Sequence, residues 1–489
     1  MNSSIVRYTL GQVLKIEAAL LLLPCIVALI YMESHGKHFL LVSAICFLLG
    51  LLMTYSKPAS KVFYLKEGCI ITSLSWIFLS FFGCLPFYFS GEIPSFTNAL
   101  FETISGFTTT GASILSEVES LSKCITFWRC FTHWIGGMGV LVFLLAIIPI
   151  GGGSQINIMK AESPGPSVGK LVPQIRSTAR ILYLIYLVLT LVEIAFLVCG
   201  DMPLFDSICT ATATAGTGGF GIKNDSFTSY SPYLQWVVTV FMILFGVNFN
   251  AYYLLLYKQF RKAFSMEEVI HYFAIIIIAV VIIFTRLLPR YEYIGDAFRD
   301  TAFQVASIIT TTGFSSVNFD KWPAVCQTVL VFLMFVGACA GSTGGGIKVS
   351  RLIILRKTII KEMDSYIHPK SIKKIKMDDK PIEHEVLRAT NVYFITFVLI
   401  FSVSVLLVAI DGRGLVTNFT AVAATINNIG PGLSQVGPTQ NFDHFSTLSK
   451  YVLMFDMIAG RLELFPLLML FHPKLWKEMF IHYTHRPKL

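Results

Sequence analysis

Between two apolar runs, each long enough to cross a bilayer, the chain carries a stretch too polar to do so: Phe101-Glu-Thr-Ile-Ser-Gly-Phe-Thr-Thr-Thr-Gly-Ala-Ser113. Its near-twin is Thr301-Ala-Phe-Gln-Val-Ala-Ser-Ile-Ile-Thr-Thr-Thr-Gly-Phe-Ser315. With Gly111 set on Gly313, the Phe, the Ser and the three Thr residues fall in register. Weaker copies end at Gly219, in Gly216-Thr-Gly-Gly-Phe-Gly221, and at Gly430, in Asn427-Asn-Ile-Gly-Pro-Gly432. The four glycines are spaced by 108, 94 and 117 residues. Backbone at membrane depth that is not helical persists only when it is buried in protein or faces a watery cavity. A polar segment recurring at this period therefore predicts four pore-lining units in one chain.

That argument requires a membrane. Of 489 residues, 54% are hydrophobic and 14% charged, whereas soluble domains average about 25% charged. Several apolar runs of spanning length place the chain among integral membrane proteins of all-α class. The formal charge of +9 would suit a nucleic-acid binder, but the basic residues cluster in loops between apolar runs, which is the positive-inside pattern. Lipid bilayer, not nucleic acid, is the predicted surrounding. Ten cysteines are scattered singly, with neither a CxxC pair nor metal-ligand spacing, and read as small apolar packing residues. The N-terminal run, Val13 to Met32, contains Lys15 and Glu17 and has no cleavage site after it, so no signal peptide is expected.

The predicted order is an N-terminal two-helix hairpin (residues 1–66, helices 13–32 and 38–56), then unit 1 with its join (67–178), unit 2 (179–264), unit 3 with a basic join (265–388), and unit 4 with a tail (389–489). Each unit is a helix, a half-helix, a polar loop and a second helix. The first helices are expected at 68–89, 179–199, 267–287 and 389–410. The half-helices are expected at Pro94 or Asn98 to Phe107, then 203–215, 296–309 and 415–426, and the second helices at 127–150, 233–257, from Val325, and 448–471. The joins carry Lys160, Lys170, Arg176 and Arg180; Lys258, Arg261 and Lys262; then Arg351, Arg356, Lys357, Lys361, Lys370, Lys373, Lys374 and Lys376. Lys57, Lys61 and Lys66 precede the first unit, and Lys474, Lys477, Arg486 and Lys488 end the chain. Opposite segments are poorer in Lys and Arg; the exceptions, Arg286, Arg290 and Arg299, are diluted by Glu292, Asp296 and Asp300. One orientation fits nearly all of this: about ten spanning helices, with polar loops outside and both termini cytoplasmic.

Four such loops meeting on an axis would replace an ion's hydration shell with backbone carbonyls. Glycine takes φ > 0 freely, which lets adjacent carbonyls point the same way, and threonine adds a hydroxyl ligand and a stiff χ1. Hard oxygens without a loop carboxylate suit a weakly held monovalent cation better than Ca²⁺ or Mg²⁺. The half-helix C-terminus, about half a negative charge, favours a cation there.

These residues carry a family resemblance. The chain resembles the Trk/Ktr/HKT superfamily of potassium transporters, most closely the TrkH family of bacterial Trk systems. Besides the loops, the resemblance rests on Trp134-Ile-Gly-Gly-Met-Gly139, Lys160-Ala-Glu-Ser-Pro-Gly-Pro166, Gly246-Val-Asn-Phe-Asn-Ala-Tyr-Tyr253, Gly341-Ser-Thr-Gly-Gly-Gly-Ile-Lys348 and Gly460-Arg-Leu-Glu463. The N-terminal hairpin favours the Trk over the Ktr branch. The resemblance implies potassium uptake across the inner membrane, with K⁺ as cargo and no organic cofactor in this chain. It also implies a homodimer with one pore per subunit, bound by a cytoplasmic ring of nucleotide-binding regulatory subunits (TrkA-like). The filter is expected at Thr109, Thr110 and Gly111; at Gly218 and Gly219; at Thr311, Thr312 and Gly313; and at Asn428, Ile429 and Gly430. K⁺ is expected at Thr110, Gly111, Gly219, Thr312, Gly313 and Gly430. Gly219 is preferred to Gly218 because Phe220 then matches Phe314, and the fourth loop departs most, with Asn427, Asn428 and Pro431.

Two further elements lie inside apolar segments. Gly337-Ala-Cys-Ala-Gly-Ser-Thr-Gly-Gly-Gly-Ile-Lys348 interrupts the third unit's second helix, and each glycine there costs about 1 kcal/mol against alanine in a helix. It is not a phosphate-binding loop, because Ile347 separates Gly346 from Lys348 and no strand precedes it. It reads as a flexible loop below the filter, against the alternative of a close helix crossing. Arg461 sits within the last apolar helix, where a charge costs at least about 2.5–3.5 kcal/mol and is functional by default. Glu463, two positions on, projects from another face, so carbonyls of the 337–346 loop are the expected partners, against a structural ion pair with a neighbouring helix. With the resemblance, Gly341, Ser342, Thr343, Gly344, Gly345, Gly346 and Arg461 become the expected gate. Glu102 is expected to brace the loop rather than bind the ion.

A secondary cation symporter, coupled to Na⁺ or H⁺, is the nearest alternative, but it predicts inverted repeats and intramembrane acids, where this chain has four same-sense repeats. An intramembrane enzyme is disfavoured, since no HExxH or GxSxG occurs and His133 reads as a packing histidine. The basic join at 351–388 suits docking of the regulatory ring better than anionic lipid.

Overall fold

The computed structural model describes residues 2–58, 64–139, 175–369, 374–475 and 477. Lys61, the 160–166 motif, Lys170, Lys370, Lys373, Arg486, Lys488 and the second half of the helix expected at 127–150 lie outside the described residues. The chain is mainly helical, and a two-stranded hairpin pairs Lys376 with Pro381 and Met377 with Lys380. Among the described residues, six helices are long and apolar enough to cross a membrane, and a seventh crossing requires counting a bent pair as one.

The N-terminal hairpin is formed by Ser3–Leu20 running into Leu22–Ile30, and by Gly36–Thr54. It begins earlier than the apolar run alone suggests, because Asn2 accepts from the amide of Ile5 and caps the first turn. Its two arms cross at glycines: a Cβ on Gly50 would lie 2.8 Å from Gly11 O, and one on Gly11 2.8 Å from Met53 Cβ. In lipid, where tails compete equally for apolar surface, such close backbone approach is what holds helices together.

Each unit then opens with a lead helix: Leu65–Ser90, Ile175–Cys199, Glu267–Leu287 and His384–Val408. These helices present outward faces of Leu, Ile, Val and Phe, among them Leu184, Leu191, Ile277 and Leu406. A helix apolar on all sides can face lipid and protein at once. The half-helices are Phe96–Phe107, Leu204–Ala215, Ile294–Ile309 and Leu415–Ile426. All four are buried against the lead and return helices; around the first, Phe107, Trp128 and Phe39 form one buried aromatic cluster.

The return helices differ from straight spans. Pro232–Gly246 and Phe249–Leu256 meet at 90° where one helix is expected at 233–257. Ala324–Val336 stops at Gly337, and Thr447–Arg461 stops before a turn in which Glu463 and Leu464 have φ of 54° and 70°. Lys123–Gly137 likewise ends on a glycine pair. The cause is contact: a Cβ on Gly136 would lie 1.8 Å from Phe107 O, and one on Gly460 2.0 Å from Ile426 O. The first and fourth return helices thus press bare backbone against the last turns of the half-helices.

Replacing Gly50 with valine inserts methyl groups into the backbone crossing of the hairpin at Gly11. It is expected to cost about 1–3 kcal/mol, the usual range for overpacking, and to lower the thermal unfolding midpoint in detergent. An unchanged midpoint would show that this crossing has room to spare.

Candidate functional site: a ring of four loops

All four half-helices end in one way. Thr109 N–H donates to Gly106 O at 3.1 Å, and Thr110 N–H to Ser105 O at 2.9 Å. The same pair of bonds recurs at Thr217 and Gly218, at Thr311 and Thr312, and at Asn428 and Ile429. This is the Schellman closure, which uses up the carbonyls a helix end leaves orphaned. Its left-handed residue is normally glycine, yet here φ is 55° at Thr109, 54° at Thr217, 58° at Thr311 and 56° at Asn428. Such a conformation costs a non-glycine residue about 1–3 kcal/mol and persists where the surroundings over-determine it. Two residues later the backbone turns left-handed again, at Gly111 (76°), Gly219 (77°), Gly313 (89°) and Gly430 (98°). Gly219, not Gly218, therefore occupies the equivalent place in the second loop. The divergent fourth loop keeps the pattern, with Asn428 where the others have Thr.

The loops also close on one another. A Cβ on Gly111 would stand 1.9 Å from Gly218 O, on Gly219 1.9 Å from Thr312 O, on Gly313 2.0 Å from Ile429 O, and on Gly430 2.8 Å from Thr110 O. Unit 1 faces unit 2, unit 2 faces unit 3, unit 3 faces unit 4, and unit 4 returns to unit 1. No side chain fits at any of the four glycines. On one side of this ring lies a 280 Å³ cavity lined by all four glycines and by polar loop residues such as Ser113, Asn224 and Gln440.

Side chains of the first two units brace the ring. Glu102 is buried and accepts from Arg129 Nε (2.6 Å), Ser113 Oγ (2.9 Å) and the amide of Ile114 (3.0 Å). Arg129 also donates to Gly221 O at 2.8 Å, and its guanidinium lies 3.7 Å from the centre of the Phe220 ring. One ion pair thereby fixes the segments just beyond Gly111 and Gly219. His133 joins the same two units, its Nδ1 2.8 Å from Gly106 O and its Nε2 accepting from the amide of Phe220 at 3.2 Å. At the joint between units 4 and 1, Asn428 Nδ2 donates to Thr110 Oγ1 (3.0 Å) and to Met457 O (2.9 Å). Further out, Lys450 donates to Asn98 Oδ1 and Asp443 Oδ1, both at 2.9 Å, and this bond holds the Asp443 carboxyl below the usual carboxylate range.

On the opposite side of the ring the Gly-rich segment packs directly against the loops. Gly345 N–H donates to Thr311 Oγ1 at 2.7 Å, and a Cβ on Gly345 would lie 2.6 Å from Asn427 O. Arg461 donates to Thr343 O at 2.8 Å, to Gly137 O at 2.7 Å and to Gly136 O. Thr343 lies in the Gly-rich segment, where the partners of Arg461 are expected; Gly136 and Gly137, on the first return helix, are additional partners outside it. Glu463 pairs instead with Lys348 Nζ at 2.9 Å and with Arg351. A 110 Å³ cavity lies here, lined by Gly341, Ser342, Gly344, Gly345 and Arg461 among others.

A family model described as a cation transport protein, TrkH, matches residues 35–483. The chain belongs to the TrkH family. It is 34% identical over 486 residues to the Trk system potassium uptake protein TrkH of Salmonella typhimurium, covering 98% of this chain and 100% of that relative. The same values hold for TrkH of Escherichia coli K12. TrkG of that organism, another Trk system potassium uptake protein, is 31% identical over 493 residues, covering 98% and 100%. The crystal structure of the potassium transporter TrkH from Vibrio parahaemolyticus is similar with a TM-score of 0.87 at 31% identity, covering 97% of this chain and 100% of that one.

Several residues that hold this TrkH-family fold together escape the sequence reading. Arg129 was discoverable by the rule that singled out Arg461, a charge within an apolar run. Glu268, at the margin of an apolar run, and the Lys348–Glu463–Arg351 cluster carry no such signal, because their partners are remote in sequence. Replacing Arg129 with alanine strands the buried Glu102 carboxylate, and breaking a buried pair from one side costs about 3–5 kcal/mol. The expected outcome is a large drop in the thermal midpoint that Arg129→Lys restores only in part, since an ammonium lacks both the fork and the stacking face. Equal midpoints for wild type and Arg129→Ala would refute the bracing role.

Proposed function

We propose that this chain is the pore-forming subunit of a potassium uptake system, with K⁺ passing along the axis of the four loops. The closed ring of glycine-to-carbonyl contacts carries this reading. Four loops with left-handed backbone at alternate positions present the carbonyls of Thr110, Gly218, Thr312 and Ile429 at the level of Gly111, Gly219, Gly313 and Gly430. A ring of carbonyl oxygens substitutes for water around a dehydrated monovalent cation, and none of the four loops contributes a carboxylate that would trap a divalent one. The relatives from Salmonella typhimurium and Escherichia coli are potassium uptake proteins, and they supply the ion.

The four helix–loop–helix units surround one pore, and with the N-terminal hairpin they make about ten spans. The unit boundaries are those read from the sequence, in an inner membrane with both termini cytoplasmic. The 280 Å³ cavity is then the outer mouth, and the segment around Gly341–Gly346 with Arg461 is the gate beneath the filter. A fixed guanidinium under the filter repels K⁺ while the loop blocks its path. The chain works as a homodimer, and the basic cytoplasmic face from Arg351 to Arg388 docks a ring of nucleotide-binding regulatory subunits.

Current recorded from the purified protein under K⁺ and Na⁺ gradients tests the reading. The expected reversal potential follows the K⁺ gradient; one that ignores K⁺, or follows Na⁺ or H⁺ instead, overturns it. Gly313→Ala is expected to abolish the K⁺ current, because its methyl group would meet Ile429 O at 2.0 Å. Arg461→Ala is expected to raise basal Rb⁺ flux into liposomes, and unchanged flux with and without the regulatory partner would remove Arg461 from the gate.

A further inference from the structure

The Gly-rich segment is not anchored where it is expected to move. Its two ends come together in a neck: Ile347 N–H donates to Phe335 O at 3.3 Å, Lys348 N–H to Val336 O at 3.0 Å, and Val349 N–H to Ala338 O at 3.1 Å. Across this neck lies a single carboxylate. Glu268 Oε1 accepts from the amide of Ala340 at 2.6 Å and from the amide of Ser350 at 3.1 Å. Its Oε2 accepts from Asn248 Nδ2 at 2.9 Å. Asn248 occupies the 90° bend of the second return helix and caps the piece that follows, accepting from the amide of Asn250 at 2.9 Å. One side chain therefore ties together both ends of the segment and the break in a neighbouring unit.

We infer that Glu268 is a positioning residue for gating: its carboxylate pins the neck, so that opening moves only the arch from Gly341 to Gly346. This rests on the reading of that segment as the gate. Glu268 is 1% exposed, and a buried carboxylate that loses its donors is left with a large desolvation cost. The neck therefore stays on Glu268 through the cycle. Its own helix is held in place as well, because the adjacent Glu267 pairs with Lys357 on Val349–Ile367, the helix leaving the neck.

Within the arch the contacts are of a different kind. Gly341 O accepts from the amide of Phe249 at 3.0 Å, Thr343 O from Arg461, and Gly345 N–H donates to Thr311 Oγ1. Each is a contact between groups that water in a widened cavity could satisfy. Gly341 and Gly346 have φ of 68° and 78°, and glycine rotates through that region without steric cost. The arch has hinges at its feet, and the neck has a pin.

Rb⁺ flux into liposomes, without any cytoplasmic partner, tests this. Glu268→Ala removes the pin, and basal flux is expected to rise by about tenfold or more, the change expected from losing hydrogen bonds to a charged group. Glu268→Gln keeps an oxygen for the amides of Ala340 and Ser350 but turns its NH2 toward Asn248 Nδ2, so its flux is expected to fall between wild type and the alanine variant. The K⁺ over Na⁺ preference is expected to hold in both, since the ring of loops is untouched; a general loosening of the fold would lose it. If Glu268→Ala fails to fold, Ser350→Pro deletes one donor in the first helical turn, where proline is tolerated, and is expected to leak in the same direction. Wild-type basal flux in the folded alanine or proline variant, glutamine as leaky as alanine, or leak together with lost K⁺ preference overturns the pin. A wild-type protein that passes no K⁺ defeats the functional reading itself, and the pin falls with it.

Discussion

Backbone that leaves the helix inside a bilayer finds no water, and each amide and carbonyl it frees must be met by protein. The ring of loops satisfies this requirement twice over. Each half-helix is closed by the amides of its own loop, at Thr109–Thr110 and its three counterparts. Each loop is then packed against the carbonyls of the next unit with no space for a β-carbon. Strain at four left-handed non-glycine residues is tolerated because every neighbour holds the same geometry in place.

The surrounding helices follow from that requirement. Return helices that continued straight would leave the last turns of the half-helices exposed in the protein interior. Instead they break at or beside Gly136–Gly137, Gly246, Gly337 and Gly460; Gly136 and Gly460 press backbone to backbone on the half-helix ends, Gly337 meets the Gly-rich segment, and Gly246 meets the side chains of Tyr272 and Thr310. Buried charge enters at the same places. Arg129 with Glu102 braces the side of the ring that carries the larger cavity, and Arg461, Glu463, Lys348 and Arg351 knit the opposite side. Each charge satisfies carbonyls or carboxylates that the broken helices expose.

What could be read in the sequence divides along the range of the interaction. Half-helix limits, set by local punctuation such as Pro203 and by the polar loops that follow, emerge within a few residues of their observed ends. The equivalence of Gly219 with Gly313 followed from one aromatic in register, and the backbone angles agree. Continuous apolar runs, by contrast, hide breaks. In Leu244-Phe-Gly-Val-Asn-Phe249 the only local punctuation is Gly246 and the capping Asn248, and the right-angle bend is held by Cys339, Gly341 and Glu268 outside that stretch. The same holds for Arg129, whose value depends on Glu102 and Phe220 from two different units.

A ring assembled from consecutive stretches of one chain has three joints with covalent continuity and one without. That open joint lies between the fourth loop and the first. A Cβ added to its glycine would stand farther from the facing carbonyl than at the other three, at 2.8 Å against 1.9–2.0 Å, and it is crossed by Asn428 to Thr110, by the amide of Phe442 to Ser113 O, and by Asn441 to Ser116. The residue that breaks the Thr pattern is thus a clasp: symmetry is given up at the one place where the polypeptide cannot close the circle itself.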